Sequence, residues 1–164
     1  MRYLVALGSN RRHHRHGSPR AVLGAALASL GEAGLAVIAA SRVHASAPVG
    51  PSARTYANAV AVVETALEPP ALLRLLQAIE AAFGRRRRGQ AWSSRVLDLD
   101  LVLWSGGAWA EDDLVIPHPE YRRRAFVLAP ALEIARGWRD PLGARTVAQL
   151  HARLTRPRAM PKRR

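Results

Sequence analysis

The stretch Val96-Leu97-Asp98-Leu99-Asp100-Leu101-Val102-Leu103-Trp104 decides how this chain is read. Leucines at 97, 99, 101 and 103 recur with period two, the pattern of a strand that buries one face. The even positions then point away from the leucines, and two of them are Asp98 and Asp100. Aspartate is depleted in strands, so the pair asks for a reason. Two residues apart on a strand, carboxylates stand about 6 to 7 Å apart, and at an effective dielectric of about 20 they repel by roughly 2.5 kcal/mol. A bound divalent cation relieves that repulsion. Mg²⁺ takes one or two protein carboxylates and completes its shell with water and substrate phosphates. Taken alone, the D-x-D pair also reads as two solvated carboxylates on an exposed strand face.

Upstream of this strand the pattern alternates between sheet and helix. Tyr3 to Leu7 is an apolar run that stops at the turn-forming Gly8-Ser9-Asn10, and a basic loop, Arg11 to His16, follows. Ser18-Pro19 supplies an N-cap and first turn for a helix in which Val22, Leu23, Ala26, Leu27 and Leu30 recur at helical spacing up to Gly31. Ala36 to His44 reads as a second strand, Ser46 to Arg54 as a Pro/Gly loop and Tyr56 to Thr65 as a third strand. Pro69-Pro70 opens a second helix with Leu72, Leu76, Ile79 and Phe83 on one face, closed by Gly84. The resulting order over residues 2 to 104, β-α-β-β-α-β, is that of a ferredoxin-like α+β sandwich.

A C-terminal extension follows. Gly106-Gly107 marks a turn, Leu114 to Ile116 a short strand, and Phe126 to Ile134 a short helix. Thr146 caps a last helix with Val147, Leu150 and Leu154 inward. One domain is expected over residues 1–155, with a flexible, solvated basic tail over 156–164.

At 164 residues and 49% hydrophobic content the chain can bury a core, which excludes disorder and fibrous repeats. Its apolar runs fall short of the ~20 residues that span a bilayer, and its first residues lack a secretory segment, so the expected location is the cytoplasm. With no cysteine, disulfides and thiolate metal sites are excluded, which favours hard cations held by oxygen. The net charge is +13, and because Lys162 is the only lysine the rest of the positive charge is arginine. Guanidinium forks match phosphate oxygens, although composition bias also produces such a surplus. Neither a G-x-x-x-x-G-K-[ST] nor a G-x-G-x-x-G phosphate loop is present, so a nucleotide must be bound by another design.

Arg85 to Arg88 precede the D-x-D pair and Arg95 stands just before its strand. Metal-type carboxylates and phosphate-type guanidiniums in one segment are what phosphoryl-type transfer needs, since positioning and charge neutralisation do most of that work. A solvated surface loop is the competing reading of the arginine run, above all for Arg86 and Arg88.

Arg95-x-x-Asp98-x-Asp100-Leu101 resembles the signature of the 6-hydroxymethyl-7,8-dihydropterin pyrophosphokinase family of folate biosynthesis. Further matching motifs run from residue 3 to about 135. They are Ala6-Leu7-Gly8-Ser9-Asn10, Tyr56-x-Asn58, Gln77-x-x-Glu80, Gly84-Arg85, Trp92, Ile116-Pro117-His118-Pro119 and Arg124-x-Phe126-Val127-Leu128. The resemblance implies transfer of the β,γ-pyrophosphoryl group of ATP to the pterin hydroxymethyl oxygen, giving AMP. It implies two Mg²⁺ ions bridged by Asp98 and Asp100, with Arg85 and Arg95 as catalytic arginines on the phosphates. Gln77, Glu80, Arg87, Leu101 and His118 fall to ATP, with His118 on a phosphate oxygen. Tyr56 and Phe126 flank the pterin ring, Asn58 binds its edge, and Trp92 and Arg124 close that end of the site.

The residues themselves agree in part. Tyr56 and Asn58 share a strand face by parity, and an amide both donates and accepts at a pterin edge. Tyr56 and Phe126 also suit ordinary core packing, and His118 between two prolines also suits a rigid turn. Two departures stand out. Ser93-Ser94 occupies a position where the family commonly has glycine, and the first loop is basic, with His13, His14 and His16 reading as a flexible loop or a transition-metal cluster. Expected partners are ATP and the pterin, with no nucleic acid and no membrane, and the chain is expected to be a monomer. The rivals are an RNA-binding ferredoxin-like module and a non-catalytic pterin- or nucleotide-binding relative. The first is disfavoured by nine aromatic residues in all and by carboxylates on the sheet face.

Overall fold

Strand β1 (Arg2–Ser9), helix α1 (Pro19–Glu32), strands β2 (Ala36–Ala40), β3 (His44–Ser46) and β4 (Tyr56–Glu64), helix α2 (Pro69–Ala82) and strand β5 (Asp98–Trp104) carry out the expected alternation. The structure, a computed structural model, describes residues 1–46, 55–84, 96–111 and 113–157. Its sheet runs β2-β4-β1-β5 with every pairing antiparallel, and β3 also pairs with β4. This is the ferredoxin-like order, with β1 and β4 central.

Parity assigns the two faces. Tyr3, Val5 and Leu7 of β1 and Ala57, Ala59, Ala61 and Val63 of β4 turn toward α1 and α2, where Leu23, Leu30, Leu72 and Leu76 complete the first core. The opposite face carries Leu4, Val60 and Val62, packed under helices α3 (Ala125–Ile134) and α4 (Val147–Thr155) of the extension. Helix α1 begins where Ser18 accepts the Ala21 N–H. Helix α4 begins with a reciprocal cap, Thr146 accepting from Gln149 N–H and the Gln149 side chain accepting from Thr146 N–H.

Several expectations need correction. The segment Ala36 to His44 is not one strand: β2 ends at Ala40, and Ser41 breaks the run by bonding Val60 through both its hydroxyl and its N–H. Strand β1 does not stop before Gly8; it continues to Ser9. The leucines at 97, 99, 101 and 103 do not share a face. The register of β1 with β5 shifts between Leu4 and Val5, which leaves Val102 as an extra residue. Leu97, Leu99 and Leu101 therefore enter the first core and Leu103 the second. Leu154 is partly exposed rather than inward.

Strand β6 (Trp109–Glu111) pairs with β7 (Leu114–Ile116), a hairpin of which only the second strand was legible. The His13–Gly17 segment is a tight turn rather than a flexible loop: His13 Nδ1 accepts the N–H groups of Arg15 and His16, and the His16 ring stacks on Phe83 at 4.9 Å. Among the described residues no group of three or more His, Asp or Glu has metal-site geometry, which removes the transition-metal reading of that turn. No described helix is long and apolar enough to cross a membrane.

Candidate active site

Strand register builds the floor of the site. Gly8 is the cross-strand partner of Asn58 on one side and of Asp98 on the other, and Asn58 is in turn the partner of His44 on β3. One row up, Ala6 pairs with both Val60 and Asp100. All of these belong to the face that carries the second core, so the site is the continuation of that face beyond Leu4, Val62 and Val102. With strands about 4.8 Å apart, Asn58 and Asp98 are about 10 Å apart in the sheet. Gly8 keeps the space between them open, since a Cβ there would lie 3.8 Å from Asn58 Oδ1 and 3.9 Å from Asp98 Cβ.

The amide of Asn58 has one orientation. Its Nδ2 donates to Ser46 Oγ at 2.8 Å, so Oδ1 is turned to the Gly8 side as an acceptor. Asn58 is buried, so its bond to Ser46 holds that orientation in place. Tyr56, two residues earlier on β4 and paired with Ser46, shares the face as parity requires.

Asp98 and Asp100 are half-buried on β5. Strand β5 is an edge strand, and it is pinned from α2 by Glu80, a buried carboxylate that accepts the Leu99 N–H at 2.7 Å between the two aspartates. Asp100 Oδ2 lies 3.3 Å from Arg124 Nη1 and 3.9 Å from His118 Nε2. The His118 backbone N–H bonds Val102 O, so the segment after the cis Ile116–Pro117 bond is docked onto the bulge of β5. His118 Nδ1 accepts the Glu120 N–H, which leaves the proton of the neutral ring on Nε2, the atom nearer Asp100. Burial lowers the pKa of His118, with Asp100 working against that and Arg124 with it. The Arg124 guanidinium also lies over the Phe126 ring, 5.8 Å from its centroid, and so spans the carboxylate end and the aromatic end of the site.

The structure thus brings Tyr56, Asn58, Asp98, Asp100, His118, Arg124 and Phe126 to one face. It turns Leu101 the other way: its side chain is buried in the first core, because odd positions of β5 face α1 and α2 up to the bulge. Gln77 and Glu80 are on α2, on that same opposite side of the sheet, and the described bond of Glu80 is to the backbone of β5. Arg85, Arg87, Trp92, Arg95 and Ser93-Ser94 lie outside the described residues. Two residues of the site carry no role in the sequence pattern. Gly8 belongs there to a matching motif and a turn, although a glycine inside a strand pattern signals close approach from outside. Ser46, which orients the amide, had no signal until β3 was placed.

A pair of hard oxygen donors beside a recessed amide and an aromatic wall can hold a phosphate-bearing substrate at one end and a flat heterocycle at the other. The profile of the family described as 7,8-dihydro-6-hydroxymethylpterin-pyrophosphokinase matches residues 4–136. The chain is 36% identical over 155 residues to 2-amino-4-hydroxy-6-hydroxymethyldihydropteridine pyrophosphokinase of Methylorubrum extorquens, covering 93% of each. It is 41% identical over 118 residues to the enzyme of that name from Synechocystis, covering 72% of this chain and 60% of that one. Among solved structures, Plasmodium falciparum HPPK-DHPS superimposes with a TM-score of 0.72 at 13% identity, over 93% of this chain and 40% of that one. That superposition shows the fold.

Proposed function

The chain belongs to the 7,8-dihydro-6-hydroxymethylpterin-pyrophosphokinase family, and on that premise we propose that it transfers the β,γ-pyrophosphoryl group of ATP to 6-hydroxymethyl-7,8-dihydropterin, releasing AMP, as a step of folate biosynthesis. The observation that carries the reading is the single row Asn58–Gly8–Asp98, which sets a heterocycle-type amide and a metal-type carboxylate on one floor about two strand spacings apart.

The donor set suits Mg²⁺: two carboxylates two residues apart on one strand face, and no third acidic or imidazole ligand in a described cluster, match an ion that takes one or two carboxylates and fills its shell from water and phosphates. Asp98 and Asp100 would hold the two Mg²⁺ ions. When bound, the two ions would neutralise charge on the transferring pyrophosphoryl group and orient it in line.

The chain's own residues do the positioning. The Oδ1 atom of Asn58, fixed by Ser46, accepts from an N–H on the pterin edge. Tyr56 and Phe126 flank the ring, and Gly8 lets it lie close to the sheet. The hydroxymethyl group then points along the row toward Asp98, where its oxygen forms a bond to the β-phosphorus, gives up its proton to water and leaves AMP as the bridging bond between the α- and β-phosphates breaks. The neutral His118 offers its Nε2–H to a phosphate oxygen, and Arg124, held between Asp100 and Phe126, adds positive charge where the two substrates meet. The family resemblance assigns Arg85, Arg87 and Arg95 to the phosphates and Trp92 to the pterin.

Binding of a nonhydrolysable ATP analogue tests the carboxylate assignment. In the wild-type chain it should depend on Mg²⁺. Asp98→Asn and Asp100→Asn should each abolish that dependence with the melting temperature unchanged or slightly raised, because each removes one of two repelling charges. Mg²⁺-dependent binding that survives in both variants would refute the assignment.

A further inference from the structure

The positive charge of this chain is unevenly placed. Residues 141–164 contain seven of the 25 basic residues and none of the 12 acidic ones, so they carry +7 of the chain's net +13. The last acidic residue, Asp140, is buried and closed off by Arg122. This segment also lies beyond the residues matched by the family profile, 4–136.

In the structure three of these arginines share one stripe. Arg145, Gln149, Ala152, Arg153 and Arg156 line a surface groove of about 390 Å³ along α4. Gln149, Ala152 and Arg153 lie within α4, while Arg145 stands just before its N-cap Thr146 and Arg156 is its C-cap, so the arginines run from one end of the helix to the other. Arg145, Gln149, Arg153 and Arg156 are exposed, and among the described residues none of these arginines enters an ion pair. The backbone that presents Arg145 is held: its carbonyl accepts the Asp140 N–H, and Asp140 in turn accepts the N–H groups of Leu142 and Gly143. At 1.5 Å per residue helix α4 alone is roughly 13 Å long, so the arginines at its two ends are spread over more than one phosphate can satisfy.

We propose that this stripe of α4 is a second binding surface, separate from the Asp98/Asp100 site, and that it takes the sugar–phosphate backbone of duplex nucleic acid without reading sequence. A regular row of phosphates satisfies several forks at once, which a single anion cannot. No aromatic residue follows Trp138, so base stacking contributes nothing and single strands gain no advantage. A membrane surface fits less well, because a helix that lies in a bilayer must offer an apolar face, and Val147 and Leu150 are already buried in the second core. The sheet face remains unsuited to nucleic acid; the surface is on the other side of α4 from the core it caps.

Fluorescence anisotropy with a labelled duplex of about 20 base pairs and the full chain tests the proposal. With about three phosphates engaged, the logarithm of the association constant should fall with the logarithm of salt with a slope of about −3. The triple variant Arg145→Gln, Arg153→Gln, Arg156→Gln should bind at least about tenfold more weakly at low salt and lose most of that slope. A variant of equal charge change elsewhere, Arg12→Gln, Arg20→Gln, Arg74→Gln, should keep both. Equal loss in the two variants, or no loss in the first, would overturn the proposal by making the binding a property of net charge. Displacement of the duplex by polyglutamate at equal charge concentration would also overturn it, in favour of an acidic protein surface.

Discussion

Asn58 and Asp98 stand in one cross-strand row with Gly8 between them, so the spacing of the amide and the carboxylate is fixed by β-sheet register. Gly8 has no left-handed backbone requirement, and an added methyl would make ordinary contacts at 3.8 and 3.9 Å. Gly8→Ala should therefore fold with a melting temperature close to that of the wild type. The methyl would nonetheless stand on the floor where a flat ring has to lie. Pterin affinity should fall at least about tenfold, roughly 1.4 kcal/mol, in a calorimetric titration, and unchanged affinity would show that the ring does not lie over Gly8.

Asn58→Ala removes both the amide acceptor and the bond to Ser46 Oγ. Pterin binding should weaken by about 1 to 3 kcal/mol, while the affinity for an ATP analogue stays within about twofold. Ser46→Ala should weaken pterin less than Asn58→Ala, because it frees the amide to rotate without deleting it. Equal losses for both ligands would assign Asn58 to the fold instead.

Arg124 and Asp100 form a partly exposed pair whose worth to stability is at most about 1 kcal/mol. Arg124→Gln should leave the melting temperature nearly unchanged. It should tighten binding of Mg²⁺ alone by a few fold, because a cation that shares Asp100 is removed, and yet lower turnover at least about tenfold. Weaker Mg²⁺ binding in this variant would contradict the place given to the metal.

The extension is held by Asp140, which accepts from Arg122 Nε and Nη2 and from two backbone N–H groups. Burial pushes its carboxyl up, but these donors prevail and hold it at about 2, below its ordinary 3.8. A depressed folded-state pKa gives stability that is complete above about pH 4 and disappears as the pH falls to about 2. On the order of 2 kcal/mol should be lost over that window in urea melts. Glu133, held at about 2 by the Arg42 N–H and side chain and by His44, adds a loss of the same sign. Asp140→Asn should cost several kcal/mol at pH 7 and flatten the acid limb; an unchanged acid limb would remove Asp140 as its cause.

Much of this was legible in the sequence because it followed from periodicity. The β-α-β-β-α-β alternation, the N-caps at Ser18 and Thr146, and the shared face of Tyr56 and Asn58 all came from local pattern. What escaped depended on partners distant in sequence. The extra residue Val102 is defined only by pairing with β1, and it alone decides that Leu103 leaves the leucine face. Gly8 sits beside residues 58 and 98, and the Arg122–Asp140 pair joins segments whose separate patterns showed nothing. The break at Ser41 is likewise set by Val60 across the sheet.

Product identity tests the central claim most directly. The chain is incubated with ATP, Mg²⁺ and 6-hydroxymethyl-7,8-dihydropterin, and the nucleotides and pterins are separated and quantified. AMP and the pterin diphosphate should form in equal amounts, with no ADP, no AMP when the pterin is omitted, and neither product from folded Asp98→Asn or Asp100→Asn protein. Formation of ADP, AMP release independent of the pterin, or a folded wild-type chain that binds both substrates and forms no product would contradict that claim.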